Sequence, residues 1–186
     1  MNQLNVAQVL PVPGVGSPIE RVAMLFDDHY DRLYRLARRL TANTDDALDL
    51  VQETFLKAAR SPKSIPVGFA SEEAWLVRVL INIRRDQWRK TMKRKRYEIT
   101  ASGESPLAAT GTDLERSLIA RATVWRALDV LSPRRRAIVV MHELDGITVS
   151  AIASLLGISQ ITVRWHLSMG KRDLTHALKA YTEARK

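Results

Sequence analysis

The chain has 186 residues, a formal net charge of +9 from 29 Lys and Arg against 20 Asp and Glu, and no cysteine, which excludes a disulfide scaffold and a thiolate metal site. The charge is divided unevenly: 17 basic residues against 11 acidic in 20–97, none against 3 in 98–113, and 12 against 6 in 114–186. Two basic lobes around an acidic connector suit a protein whose lobes both touch one polyanion, although a generally basic soluble protein has the same balance.

Residues 1–19 read as a flexible tail, in which Pro11 and Pro13 interrupt any apolar run and no basic start marks a signal peptide. No stretch is long and apolar enough for a membrane span, so a cytoplasmic protein without membrane insertion is expected. Val22, Phe26, Leu33, Ala37 and Leu40 form one stripe of a first long helix. A second helix starts near Asp45, with Leu48, Val51, Phe55 and Ala59 facing inward and Asp46, Asp49 and Glu53 together on the opposite side. Residues 41–56 contain no Lys or Arg. Such an acidic face is either a docking surface for a basic partner or a set of first-turn carboxylates favoured by the helix dipole, and the residues alone do not choose.

Residues 61–73, with two prolines and a glycine, read as a loop leading into a third helix, where Glu72 and Glu73 precede Trp75. Trp75, Leu76, Val79, Leu80 and Ile83 make its apolar face, and Arg78, Asn82, Arg85 and Arg89 form a separate stripe beside it. Positions 84–96 hold eight Lys or Arg and one Asp. A solvated helix end often looks like this, but arginines and an asparagine that begin in register inside an amphipathic helix favour a nucleic-acid track. ASGESPLAATGT (101–112) then breaks every helical period, so residues 98–113 read as a linker between a domain at 20–97 and another at 114–186.

The second domain carries the most specific local signal, Thr148–Leu174. Ala153 falls where one helix must let another approach, Gly157 where the turn needs a left-handed residue, and Val163 where the next helix packs back. Val163, Leu167, Gly170 and Leu174 share the buried stripe; Arg164, Trp165, Ser168 and Arg172 point away, with Gln160 and Thr162 near the N-terminus. That is a helix-turn-helix whose exposed face suits a DNA major groove. Trp165 either stacks on the sugar-phosphate backbone or packs on a neighbouring helix; His166 lies near the buried stripe and reads as structural. The four histidines are scattered without ligand spacing, so no metal is expected, and no other cofactor motif is present.

DDALDLVQETFLKAAR (45–60), WLVRVLINIRRDQWRK (75–90) and LSPRRRAIVVMHELDGITVSAIASLLGISQITVRWHLSMGKRDL (131–174), in this order and spacing, resemble the extracytoplasmic-function sigma factors of bacterial RNA polymerase. The resemblance implies an all-α fold of two small helical domains joined by a flexible linker, and a specificity subunit rather than an enzyme. It implies that Asp46, Asp49, Gln52 and Glu53 dock on core RNA polymerase, which tips the even reading of the acidic face toward docking. It implies that Lys63, Ser64, Arg78, Asn82, Arg85 and Arg89 meet the displaced single strand of the minus-ten element. Gln160, Thr162, Arg164, Trp165, Ser168, Lys171 and Arg172 would then meet duplex DNA of the minus-thirty-five element. Promoter DNA and core polymerase are the implied partners, and an anti-sigma factor is a further candidate, since family members are commonly held by one. The chain departs from the family pattern in a longer, proline-rich loop at 61–73 and in Trp165 and His166. The competing reading is a one-component transcriptional regulator that binds duplex DNA only and never engages polymerase.

Overall fold

The computed structural model describes residues 18–98 and 124–183, and all regular structure within them is helical. The expected tail before Pro18 and the expected linker beyond Glu98 lie outside the described residues.

Helix α1 (Pro18–Leu40) takes in two residues assigned to the tail, because a proline with its φ already set is a favourable first helical residue. Its buried seam is Leu25, His29, Leu33, Leu36, Ala37 and Leu40. This corrects the expected stripe at its start: Phe26 is 43% exposed, its ring lying between those of Tyr30 and Phe55 at the edge of the core. Helix α2 (Thr44–Arg60) is started by Asn43, whose side-chain oxygen accepts from the Asp46 N–H at 2.7 Å. Its inward face is Ala47, Leu50, Val51, Thr54, Phe55 and Ala58. The sequence reading rotated this helix too far, placing Leu48 and Ala59 inside; Ala59 is exposed and Leu48 only half-buried. Ala47 and Ala58, which carry no pattern signal of their own, are fully buried in that face.

The loop after α2 is shorter than expected. A 3₁₀ turn, Pro62–Ser64, leads to Gly68 at φ +105°, and α3 (Phe69–Glu98) begins immediately after it. The Gly68 carbonyl accepts from the N–H groups of Ser71 and Glu72, both at 2.9 Å. Glycine is required there because a side chain would be strained at that φ. The apolar surface of α3 is broader than a single face: Leu76, Leu80 and Ile83 are buried, and so are Val77 and Ile81. The cause is that α3 is covered from two sides, by α1 and α2 and by the second half of the chain.

That second half comprises α4, helical over residues 124–129, α5 (Pro133–Glu143), α6 (Val149–Leu156) and α7 (Gln160–Glu183). Its core is Ala137, Ile138, Val140, Ile152, Ala153, Leu156, Val163 and Leu167. The two halves meet where α5 packs on α1 and α3, and α6 on α3, so buried apolar residues run continuously from one to the other.

Candidate nucleic-acid interface

The helix-turn-helix is built by local chemistry. Thr148 caps α6 by accepting from the Ala151 N–H at 3.2 Å. Gly157 ends it at φ 65°, ψ 39°, and the Ile158 N–H returns to the Ala153 carbonyl at 3.1 Å, a glycine-terminated helix end. Ser159 then caps α7 by accepting from the Thr162 N–H at 3.1 Å. Val163, Leu167 and Gly170 are buried, and Gln160, Arg164, Trp165, Ser168, Lys171 and Arg172 are exposed. Thr162 is half-buried, its hydroxyl 2.8 Å from that of Ser159. Gln160 touches Ser150 of α6 and Arg164 one turn on, both at 3.4 Å, which orients the two side chains most able to reach base edges.

Trp165 is 52% exposed, with the Arg135 guanidinium 5.6 Å from its ring centre and the His166 ring at its edge. Arg135 is in turn held by an ion pair with Asp173. One side of the ring thus rests on Arg135 of α5, and a large part of the ring is open. Lys171 is ion-paired with Glu143 at 3.0 Å, a contact that holds the Glu143 carboxyl below its ordinary range.

On α3, Arg89 is exposed and Asn82 half-buried. Arg85 is half-buried beside Asp86 at 3.6 Å, with its Nε lacking a hydrogen-bond partner. Arg78 does not face open solvent; it donates to the Leu155 carbonyl of α6 at 3.2 Å. Lys63 and Ser64 lie exposed in the 3₁₀ turn, where the Ser64 hydroxyl donates to the Ser61 carbonyl at 2.7 Å. Asp46, Asp49, Gln52 and Glu53 form one exposed face of α2, and Glu53 accepts from Gln87 of α3 at 3.2 Å. Among the described residues, no cluster of His, Asp or Glu is placed to hold a metal ion, and no helix is long and apolar enough to cross a membrane.

Residues 25–94 match Sigma-70 region 2, and residues 121–174 match Sigma-70 region 4. The chain is 32% identical over 155 residues to the ECF RNA polymerase sigma factor SigL of Mycobacterium tuberculosis, covering 83% of this chain and 87% of that one. It belongs to the ECF RNA polymerase sigma factor family. SigE of Mycolicibacterium smegmatis, also an ECF RNA polymerase sigma factor, is 34% identical over 163 residues, 85% of this chain but only 62% of that longer protein. The fold resembles that of the sigma factor RpoE of Bartonella quintana, crystallised with the anti-sigma factor NepR, with a TM-score of 0.55, 24% identity, and coverage of 87% of this chain and 96% of that one. A duplex-only regulator has no use for a region 2 domain, so that alternative falls.

Several residues that shape the sigma factor's surfaces carry no sequence signal. Arg21 donates to the carbonyls of Ile65 and Pro66 at 2.9 and 3.0 Å, pinning the loop before α3 from 44 and 45 positions away. Glu73, one of the two acids that precede Trp75, is buried and paired with Arg32 at 2.6 Å. His29 is 1% exposed and lies against the Phe69 ring at a centroid distance of 4.5 Å. Periodicity reports which face is buried, but not which distant carbonyl or carboxylate a buried polar group will meet.

His166 yields a prediction for the sigma factor's pH dependence. Burial lowers its pKa from the ordinary 6.5, helped by the charges of Arg135 and Arg134, and its buried Nδ1 has no partner. The native state therefore resists a proton that the unfolded chain accepts, so stability is lost as pH falls below about 6.5. His166→Gln is expected to reduce the drop in urea midpoint between about pH 7.5 and about pH 5.5. An unchanged drop would rule out His166 as its source.

Proposed function

We propose that this sigma factor docks on core RNA polymerase through Asp46, Asp49, Gln52 and Glu53, and reads the minus-thirty-five element with the exposed face of α7. It holds the displaced minus-ten strand with the loop residues Lys63 and Ser64 and the stripe Arg78, Asn82, Arg85 and Arg89. The observation that carries this reading is the presence of both sigma-70 blocks, in order, in one chain. On α7, Gln160 and Arg164 are the base-reading side chains, and Thr162, Trp165, Ser168, Lys171 and Arg172 contact the sugar-phosphate backbone. Opening requires no catalytic group: contacts to the separated strand offset a lost stacking energy of about a few kcal/mol per extruded base. The protein acts in the cytoplasm, and by likeness to the RpoE complex an anti-sigma factor is its expected restraint.

Transcription from a cognate promoter by core polymerase, with and without this protein, tests the reading; no stimulation on any promoter captured by the chain overturns it. The acidic face gives a sharper test. Because Asp49 and Glu53 are exposed and outside the α2 core, reversing both to Lys should leave the helical circular dichroism unchanged and weaken capture of core polymerase about ten-fold, at roughly 1 kcal/mol or less for each exposed charge removed and a similar repulsion added. Wild-type capture by the folded double variant would remove these residues from the docking surface.

A further inference from the structure

One apolar side chain sits in the middle of the polar face of α7. Ile161 is 77% exposed, more than Trp165 at 52%, and it heads a line of exposed residues that continues through Trp165, Ser168 and Arg172. At about 100° per residue, Ile161 lies about 150° from the middle of the buried stripe of Val163, Leu167 and Gly170, whereas Arg164 lies about 90° and Gln160 about 50° from it. The two side chains assigned to base reading therefore flank Ile161, which holds the outermost position. Core packing does not account for so exposed a side chain, and isoleucine is a weaker helix former than the Lys, Glu or Gln that suits an open helix face. The polar groups around it are already engaged: the Ser159 and Thr162 hydroxyls are 2.8 Å apart, and Gln160 contacts Ser150 and Arg164, both at 3.4 Å. Branching at Cβ leaves isoleucine essentially one side-chain rotamer in a helix, so Ile161 holds its direction without a partner.

We propose that Ile161 is a specificity-determining residue of the minus-thirty-five reader and recognises the C5-methyl group of a thymine. The proposal rests on the functional reading above, in which the exposed face of α7 enters the major groove. The base edges in that groove present hydrogen-bonding groups at every base pair, and the apolar group they present is the thymine methyl. Isoleucine neither donates nor accepts a hydrogen bond. Against a G·C pair it strips water from polar edges and returns no bond, whereas against a thymine it removes two apolar surfaces from water at once. One side chain thus favours thymine by contact and rejects the other bases by desolvation. Consecutive Cα atoms are about 3.8 Å apart and stacked base pairs about 3.4 Å, so this thymine belongs to the base pair read by Gln160 or to the next one. Glutamine pairs bidentately with adenine, and Gln160 with Ile161 together select A·T pairs at that step.

Removing the methyl group alone tests the contact. Holoenzyme assembled from core polymerase and the full chain is bound to a promoter that it transcribes, in which each thymine of the minus-thirty-five element, on either strand, is replaced in turn by deoxyuridine. That exchange deletes one methyl group and keeps every hydrogen-bonding group of the base. The wild-type protein should lose about four-fold in affinity at one thymine, the change expected for a single buried methyl group, and Ile161→Ala should bind the thymine and uracil duplexes alike at that position. Ile161 is exposed and alanine is the better helix former, so the variant keeps its fold, which helical circular dichroism checks. A loss that persists in Ile161→Ala assigns the methyl contact to another side chain, and a wild-type protein indifferent to every thymine methyl has no such contact; either result overturns the proposal. Base-pair substitutions across the same element report on the functional reading separately. If they weaken binding while no methyl deletion does, α7 still reads the element and only the role of Ile161 falls. If they leave binding unchanged, the assignment of α7 to the minus-thirty-five element falls first and takes this proposal with it.

Discussion

Replacing Arg85 and Arg89 together with Ala is expected to leave the closed promoter complex formed and to stop strand opening. Neither side chain supports the fold: Arg89 is exposed, and Arg85 is ion-paired with the neighbouring Asp86 at 3.6 Å. Alanine is also the better helix former at an interior position. The contacts these cations are proposed to make exist only after the strands part, so the cost falls on the open state. Two charge-assisted contacts at about 1.5 kcal/mol each give roughly 3 kcal/mol, or about a hundred-fold loss in the yield of open complex. A template carrying a pre-melted mismatch bubble should recover much of that loss, because the unstacking cost has already been met. Permanganate reactivity of unpaired thymines on duplex and bubble templates measures both. Equal losses of closed-complex binding and opening, with no recovery on the bubble, would show that the stripe only grips duplex DNA.

Gly170→Val is expected to cost about 3 kcal/mol of stability and to loosen α7 from α5. A Cβ at this buried position would lie 2.6 Å from Val139 Cγ2 and 3.3 Å from Arg135 Cγ. Val139 is itself buried and β-branched, so its methyl cannot swing aside cheaply. The clash outweighs the few tenths of a kcal/mol, roughly, that valine gains over glycine in a helix interior. Arg135 is displaced with it, and with Arg135 the cover over Trp165, so duplex binding should weaken alongside the urea midpoint. Gly170→Ala should move both in the same direction by less. Variants as stable as wild type would mean that α5 and α7 separate readily at this crossing.

The helix-turn-helix was legible residue by residue. Gly157 as the left-handed turn, the Val163, Leu167 and Gly170 seam, and the exposed face of Arg164, Trp165 and Ser168 all follow from a 3.6-residue period and one glycine. The acidic face of α2 was legible for the same reason, since Asp46, Asp49 and Glu53 recur at helical spacing. Phe26 and Ala59 were misplaced because a helix with apolar residues around much of its circumference offers more than one inward face. Which one is used depends on the neighbour it meets. The start of α3 was missed because Phe69 and Ala70 follow a proline-rich loop, whereas the decisive signal was Gly68, free to adopt the φ that lets its carbonyl begin the helix.

Pattern within one segment thus settles helix periods, caps, the left-handed turn and the order of the two sigma-70 blocks, because each of these is decided by residues a few positions apart. The assignment of individual charges is decided by packing. Arg78 and Arg89 belong to the same stripe in the sequence, yet one is bonded to the end of α6 while the other is exposed. Arg136, in a run of three arginines, is buried and bonded to a carbonyl 97 positions away, whereas Arg134 and Arg135 remain half-buried. A guanidinium brings a charge and a fork of donors but no address. Its partner is whichever helix end, carboxylate or phosphate the fold brings within about 3 Å, and that choice arises only when distant helices meet.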